Sequence, residues 1–241
     1  MDTYFITGTS RGLGRALAVE LLKELPHQVF GIARNCTLQH PRYHHFDLDL
    51  SQLQAVQAFR FRLPRGTERA VLINNAGMIA PVSPVGRIDN PTLAAAFAVN
   101  LVSPSMLMNN FIRDTRNRRA ARLIINISSG AARHTIDSWS VYCAAKAGLD
   151  MFSQVLYSEQ PLHQPKRPVL IFSIAPGVVD TQMQQQIRAT PKRDFASKER
   201  FVQMKAEGQL TPPDVAARAI LRIINAPETY AQTCLDLRDE G

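Results

Sequence analysis

The sequence predicts an α/β chain of one domain (residues 1–241), a doubly wound sheet of seven parallel strands with helices on both faces, in three layers. Three observations predict it. Short β-branched or apolar runs alternate with longer amphipathic stretches from end to end. A glycine-rich turn, Gly8-Thr9-Ser10-Arg11-Gly12-Leu13-Gly14, stands between the first run and the first amphipathic stretch. A chain of 241 residues with 45% hydrophobic content is also long enough to bury one sizeable core.

The first strand is expected over 4–7. The helix after it places Leu13, Leu17, Leu21 and Leu22 on one face and stops near Pro26. Strands follow over 29–33 and 43–47, a helix over 51–62 and a strand over 70–74. A long helix over 91–113 contains Pro104, which removes a hydrogen bond and is expected to bend it. The remaining elements are a strand over 123–128, a helix over 141–158, a strand over 169–175, a helix over 213–225 and a strand over 233–237. Residues 181–210 are polar, rich in Gln and Lys and weakly patterned, which predicts mobile helical segments forming a lid over a site rather than core.

The net charge of +8 raises the question of a nucleic-acid partner. Its densest stretch, RDTRNRRAAR over 113–122, precedes a strand pattern and reads as a solvated helix end and loop. No aromatic-basic interleaving accompanies it, so an anionic small ligand fits the charge and nucleic acid is not expected. Neither a membrane-spanning apolar run nor a signal-peptide pattern is read, so no membrane partner is expected and the location predicted is cytoplasmic. Cys36, Cys143 and Cys234 lie far apart without metal-ligand spacing, which predicts reduced thiols and no metal.

A glycine turn between a strand and a helix is the context a nucleotide-binding turn of the Rossmann type requires. Glycines let the backbone approach a pyrophosphate, and the positive end of the following helix attracts it. About 20 residues further on, NAD-binding folds place an acid for the ribose 2′-hydroxyl. Here that place holds Arg34, and Arg11 lies in the turn. Two guanidinium groups suit a 2′-phosphate, so NADP(H) is the expected cofactor.

Tyr142 and Lys146 are four residues apart on a predicted helix, hence on one face. A nearby ammonium is expected to lower the phenol from its ordinary value near 10, readying it to protonate a carbonyl oxygen as hydride arrives.

Six ordered motifs then come together: TGTSRGLG at 7–14, Asn74-Asn75-Ala76-Gly77, Asn100, Ile127-Ser128-Ser129, Tyr142-Cys143-Ala144-Ala145-Lys146, and Pro176-Gly177-Val178-Val179-Asp180-Thr181. With them the chain resembles the short-chain dehydrogenase/reductases over essentially its whole length. The resemblance implies that Ser129, thirteen residues before Tyr142, polarises the substrate carbonyl, with Ser128 its packed neighbour. It implies that Asn100 holds a water behind Lys146, and that Lys146 also bonds the nicotinamide ribose. Around the cofactor it places Gly8, Ser10, Arg11, Gly12, Leu13 and Gly14 at the phosphates and Arg34, Asp47 and Leu48 at the adenosine end. Asn74, Ala76 and Gly77, with Tyr142 and Lys146, follow along the cofactor, and Pro176, Gly177, Val179 and Thr181 reach the nicotinamide. Between Asn35 and His44 too few residues remain for the helix the family usually carries after its second strand.

The C-terminal half most resembles the sepiapterin and benzil reductases within that family, on Trp139-Ser140-Val141-Tyr142-Cys143, the stretch 150–156, Asp180-Thr181-Gln182-Met183-Gln184-Gln185 and the ending Leu235-Asp236-Leu237. This implies NADPH-dependent reduction of a vicinal diketone or a pterin side-chain ketone, with substrate against Ser129, Trp139, Tyr142, Met183 and Asp236. Asp236 reads equally as a solvent-exposed strand end. Family members commonly dimerise through helices matching 91–113 and 141–158, so a homodimer or a dimer of dimers is expected. The alternative from the same residues is a non-catalytic NADP-binding sensor.

Overall fold

The computed structural model describes residues 1–79 and 81–239. Seven strands, β1 (Asp2–Thr7), β2 (Gln28–Ala33), β3 (Tyr43–Asp47), β4 (Arg69–Asn74), β5 (Ala121–Ile127), β6 (Leu170–Ala175) and β7 (Cys234–Asp236), form one sheet in the order β3-β2-β1-β4-β5-β6-β7. Every neighbouring pair is parallel. Parallel strands covered on both faces read as continuous apolar runs, and β4 buries five successive residues, Ala70 to Asn74. The strand order reverses between β1 and β4, so a crevice opens beyond their C-terminal ends.

One face is covered by α1 (Gly12–Lys23) and α8 (Pro213–Asn225), which bury Leu17, Leu21, Ala217 and Ile220 against Ile6, Val71 and Ile125. The other is covered by α2 (Leu53–Ala58), α4 (Ser103–Thr115) and α5 (Ser140–His163), through Val56, Leu107, Met108, Phe111 and Leu149. No helix forms between β2 and β3, as the short spacing implied.

The helix expected over 51–62 is only α2, six residues long. Phe59 and Phe61 leave the helix to join an aromatic cluster, Phe61 meeting Phe5 and Phe111 edge-on at 5.0 and 5.3 Å. The Phe61 N–H donates to Asp114 Oδ2 at 3.0 Å, so tertiary burial overrides local helix preference. The long helix is interrupted where a bend was expected: α3 (Asn90–Phe97) passes through a π-type turn, Ala98–Val102, into α4. Pro104 has no N–H to give the carbonyl of Asn100 four residues back, which accounts for the widened turn. By length and composition the run Asn90–Thr115 is apolar enough to cross a membrane. Its Leu107, Met108 and Phe111 are nevertheless fully buried against the sheet, the behaviour of a core helix.

Two further corrections concern a residue read as solvated and a segment read as a lid rather than core. Arg122, in the basic run, is buried at the start of β5 and donates from Nη2 to Gln164 Oε1 at 2.6 Å. The segment 181–210 folds into α6 (Gln182–Ala189) and α7 (Lys198–Ala206) and does contribute core: Ile187, Phe195 and Phe201 pack on Ile79, Ala131, Trp139 and Tyr142.

Candidate active site

The turn after β1 has the backbone its glycines suggest. Gly8 and Gly12 lie at φ +75° and +57°, where side chains with a Cβ are strained. A Cβ on Gly14 would come within 2.3 Å of Asn75 Nδ2 and 2.4 Å of the Gly8 carbonyl oxygen, so only glycine lets α1 start this close. The turn is tied to β4 through Thr7, whose Oγ1 accepts from the N–H groups of Asn75 and Ala76, both at 2.9 Å. Asn75 Nδ2 donates back to the Thr7 carbonyl at 2.9 Å. Beneath the turn, Thr9 and Tyr43 share a buried hydroxyl–hydroxyl bond of 2.8 Å, which Gly31 permits by having no side chain. The motifs already contain Thr7, Thr9 and Asn75, but their bonding, and any part for Tyr43, escaped the sequence reading because each partner lies far along the chain. Among the described residues no side chain caps the start of α1, and its first turn holds no acid, leaving its N–H groups for an anion.

Leu13 is buried and packs below the turn, while Ser10 receives a hydrogen bond at its carbonyl from Thr37 Oγ1 at 2.9 Å. Arg11 and Arg34 are exposed at the rim. Asp49 sits near enough to sense Arg34, its carboxyl held below the usual range first by the Ser51 N–H and also by Arg34. Asp47 is exposed at the end of β3, whereas the Leu48 side chain enters the core. Asn74 also turns inward, donating from Nδ2 to Asn126 Oδ1 at 2.8 Å, so its side chain serves the sheet. Across the crevice, a Cβ on Gly12 would lie 3.2 Å from Thr181 Cγ2, so the turn and the loop from Pro176 to Thr181 face one space. Within that loop Gly177 has φ +75°, and Val179 is held by a parallel bridge to Thr211.

Tyr142 and Lys146 stand on the buried face of α5, and the Lys146 Nζ lies 5.7 Å from the Tyr142 ring centroid. Nζ donates to the Ile127 carbonyl at 2.7 Å. Ser129 caps a short helical turn, Gly130–Ala132, its Oγ accepting from the Ala131 N–H at 3.2 Å. A Cβ on Gly77 would be 3.1 Å from Asn100 Oδ1 and 3.9 Å from Lys146 Nζ, so these three meet behind the tyrosine. The Asn100 amide is held by Met78, with Oδ1 accepting from its N–H at 3.0 Å and Nδ2 donating to its carbonyl at 2.8 Å.

The electrostatics correct one expectation. Burial pushes the Tyr142 phenol up to about 12, a rise that a hydrogen bond with Ser129 reduces, and Lys146 does not lower it. Desolvation outweighs an ammonium that is itself turned toward a main-chain carbonyl. The same burial brings Lys146 down to about 8, against a smaller upward pull from Asp150.

Above Tyr142, Trp139 meets its ring edge-on at 5.7 Å and packs on Phe195 and Phe201 at 5.9 and 5.3 Å, while Met183 is half-buried against the same cluster. The buried hydroxyl of Ser128 and indole N–H of Trp139 find no partner among the described residues. Asp137 clasps the cover: its Oδ2 accepts from the Ala196 N–H at 2.8 Å and its Oδ1 from the Ser197 hydroxyl. Asp236, read as a substrate anchor or an exposed strand end, is not exposed. It is buried, and both its oxygens are taken by Arg238, at 2.9 Å from Nε and 2.6 Å from Nη2.

Residues 2–192 match the family model described as short chain dehydrogenase. A benzil reductase ((S)-benzoin forming) of Bacillus cereus is 36% identical over 95% of this chain and 96% of its own. A sepiapterin reductase of Meriones unguiculatus is 31% identical over 97% of this chain and 95% of its own. In fold, a short chain dehydrogenase/reductase from Saccharomyces cerevisiae superposes with a TM-score of 0.82 over 98% of this chain and 96% of its own, at 23% identity. By that family match and these full-length relatives, the chain belongs to the short chain dehydrogenases, oxidoreductases that work with a nicotinamide cofactor.

Proposed function

We propose that the chain is an NADPH-dependent carbonyl reductase acting on a vicinal diketone or a pterin-like side-chain ketone. The observation that carries this is the meeting of Ser129, a Tyr142 phenol kept protonated by burial, and Lys146 under one apolar cover. The glycine cradle at Gly14, the uncapped start of α1 and the Arg11 and Arg34 side chains fit a phosphorylated dinucleotide. NADPH bound there would supply the hydride. The Ser129 hydroxyl and Tyr142 hydrogen-bond the carbonyl oxygen as negative charge develops on it, and Tyr142 gives up its proton to complete the alcohol. Lys146, with Asn100 behind it, returns a proton to the phenolate. The hydrophobic cover of Trp139, Met183, Phe195 and Phe201 keeps water from the reacting carbon.

Two relatives are benzil reductases, which supports trying diketones first. The exposed Met151, Phe152 and Val155 on α5 suit pairing with a second copy, as a homodimer or dimer of dimers. The three free thiols fit the cytoplasm, and neither nucleic acid nor a membrane is part of this reading.

The test is NADPH oxidation by the purified protein across diketones, quinones and pterins, beside a Tyr142→Phe variant. The variant should bind NADPH within about threefold of the parent and lose on the order of a hundredfold or more in turnover. Full turnover in the variant would overturn the mechanism, and NADPH binding without turnover of any carbonyl would favour the sensor reading.

A further inference from the structure

We propose that Arg238 selects the substrate, favouring carbonyl compounds whose neighbouring carbon carries a second carbonyl or carboxylate oxygen. This rests on the reductase reading above. Arg238 follows β7 and folds back on Asp236, whose side chain is only 4% exposed while that of Arg238 is 59% exposed. The pair is bidentate, and the Arg238 N–H adds a third bond to Asp236 Oδ1 at 3.1 Å. The carboxylate is accordingly held below its usual range, first by these Arg238 bonds.

The position of the guanidinium gives the pair its meaning. Arg238 Nη2 lies 3.3 Å from where a Cβ on Gly130 would stand, and Cγ lies 3.7 Å from the corresponding point on Gly177. Gly130 directly follows Ser129, and Gly177 lies in the loop that faces the glycine turn. Arg238 therefore bridges the two loops between which a carbonyl polarised by Ser129 has to fit. A side chain on Gly130 would crowd the guanidinium, whereas at Gly177 the contact is an ordinary van der Waals one.

Hydrogen-bond capacity then decides the class of ligand. A carboxylate with both oxygens engaged by one fork has little left for an amino-bearing ring. A guanidinium has five N–H groups, and only two of the side-chain donors are spent on Asp236. The Arg238 side chain is 59% exposed, so donors are left for an acceptor, which a vicinal diketone or a 2-oxo acid supplies in its second oxygen. Fixed by a buried partner, the fork loses little freedom on binding, so the preference is built in before substrate arrives.

The experiment compares kcat/KM for 1-phenyl-1,2-propanedione, phenylglyoxylate, propiophenone and sepiapterin, with NADPH, in the parent, Arg238→Ala and Arg238→Lys. The parent should prefer the dione or the oxo acid over propiophenone, which lacks the second oxygen, and over sepiapterin, whose neighbouring carbon carries a hydroxyl in place of a carbonyl. Arg238→Ala should shrink the dione-to-propiophenone ratio on the order of tenfold to a hundredfold, chiefly through KM, with Lys restoring part of it. The dione and oxo-acid arms tell a neutral acceptor from a charged one. Because Arg238→Ala strands a buried carboxylate, the double variant Asp236→Asn/Arg238→Ala is run alongside with thermal melts. An unchanged ratio in a folded variant, or a parent that prefers sepiapterin, overturns the assignment while leaving a reductase in place. No NADPH oxidation with any of the four overturns the reductase reading and this inference with it.

Discussion

Lys146 on α5 donates from Nζ to the carbonyl of Ile127, the last residue of β5, at 2.7 Å. The bond ties the helix carrying Tyr142 to the strand that leads into Ser129. It also aims the ammonium at main chain, so burial governs the acidity of both side chains: about 8 for Lys146 and about 12 for Tyr142.

Reduction should therefore fall as pH rises through about 8, where Lys146 loses its proton while Tyr142 keeps its own. The decline approaches about tenfold per pH unit above that point. Whatever activity Lys146→Arg retains should lack this limb, because a guanidinium stays charged. Rate–pH profiles of both proteins measure this, and an identical limb in the variant would assign the titration to another group.

Stability should move the opposite way over the same range. Unfolded Lys146 holds its proton up to its ordinary value of 10.5, but the folded chain holds it only to about 8. Between those values the unfolded state binds more protons, so this group makes stability rise with pH. Urea denaturation at pH 8 and pH 10 should show a rise that is diminished in Lys146→Met.

Gly14→Ala places a methyl 2.3 Å from Asn75 Nδ2 and 2.4 Å from the Gly8 oxygen. The backbone must yield, at about 1–3 kcal/mol of stability. Thermal unfolding should report that loss, and NADPH titration followed by fluorescence should show affinity down at least tenfold.

Arg34→Asp should exchange one cofactor for the other. Losing a charge-assisted bond to the 2′-phosphate is worth about 1.5–3 kcal/mol, or roughly tenfold to a hundredfold weaker NADPH binding. NADH should bind better, since an acid can hold a free 2′-hydroxyl. Equal preference in parent and variant, by titration, would remove Arg34 from the site.

Asp137→Ala cuts the bonds that hold Ala196 and Ser197 over the site. The cover should loosen, raising KM for the carbonyl several-fold with little change in NADPH affinity. Trp139 is the one tryptophan of the chain and lies under that cover, so its emission should shift to the red.

Much of this molecule is legible in sequence because it is local. The Tyr142–Lys146 spacing needs only a helix, and the glycine turn needs only a strand before it and a helix after it. Helix α8 runs over 213–225 as its apolar periodicity predicts. Where the reading failed, a distant partner outweighed local preference. Phe59 and Phe61 abandon a helix for an aromatic cluster, and Phe195 and Phe201 turn a polar stretch into the roof of the site.

The order of the elements, the parallel doubly wound sheet, the glycine turn and the face shared by Tyr142 and Lys146 were set by the sequence, since all follow from spacing along a regular backbone. Tertiary structure alone decided where those groups point and how they titrate. Packing α5 on β5 turns Lys146 to Ile127 and buries the Tyr142 phenol, and closing β7 against β6 brings the local Arg238–Asp236 pair beside Gly130. Desolvation and the sharing of hydrogen bonds depend on neighbours that are remote in the chain, and no local spacing records them.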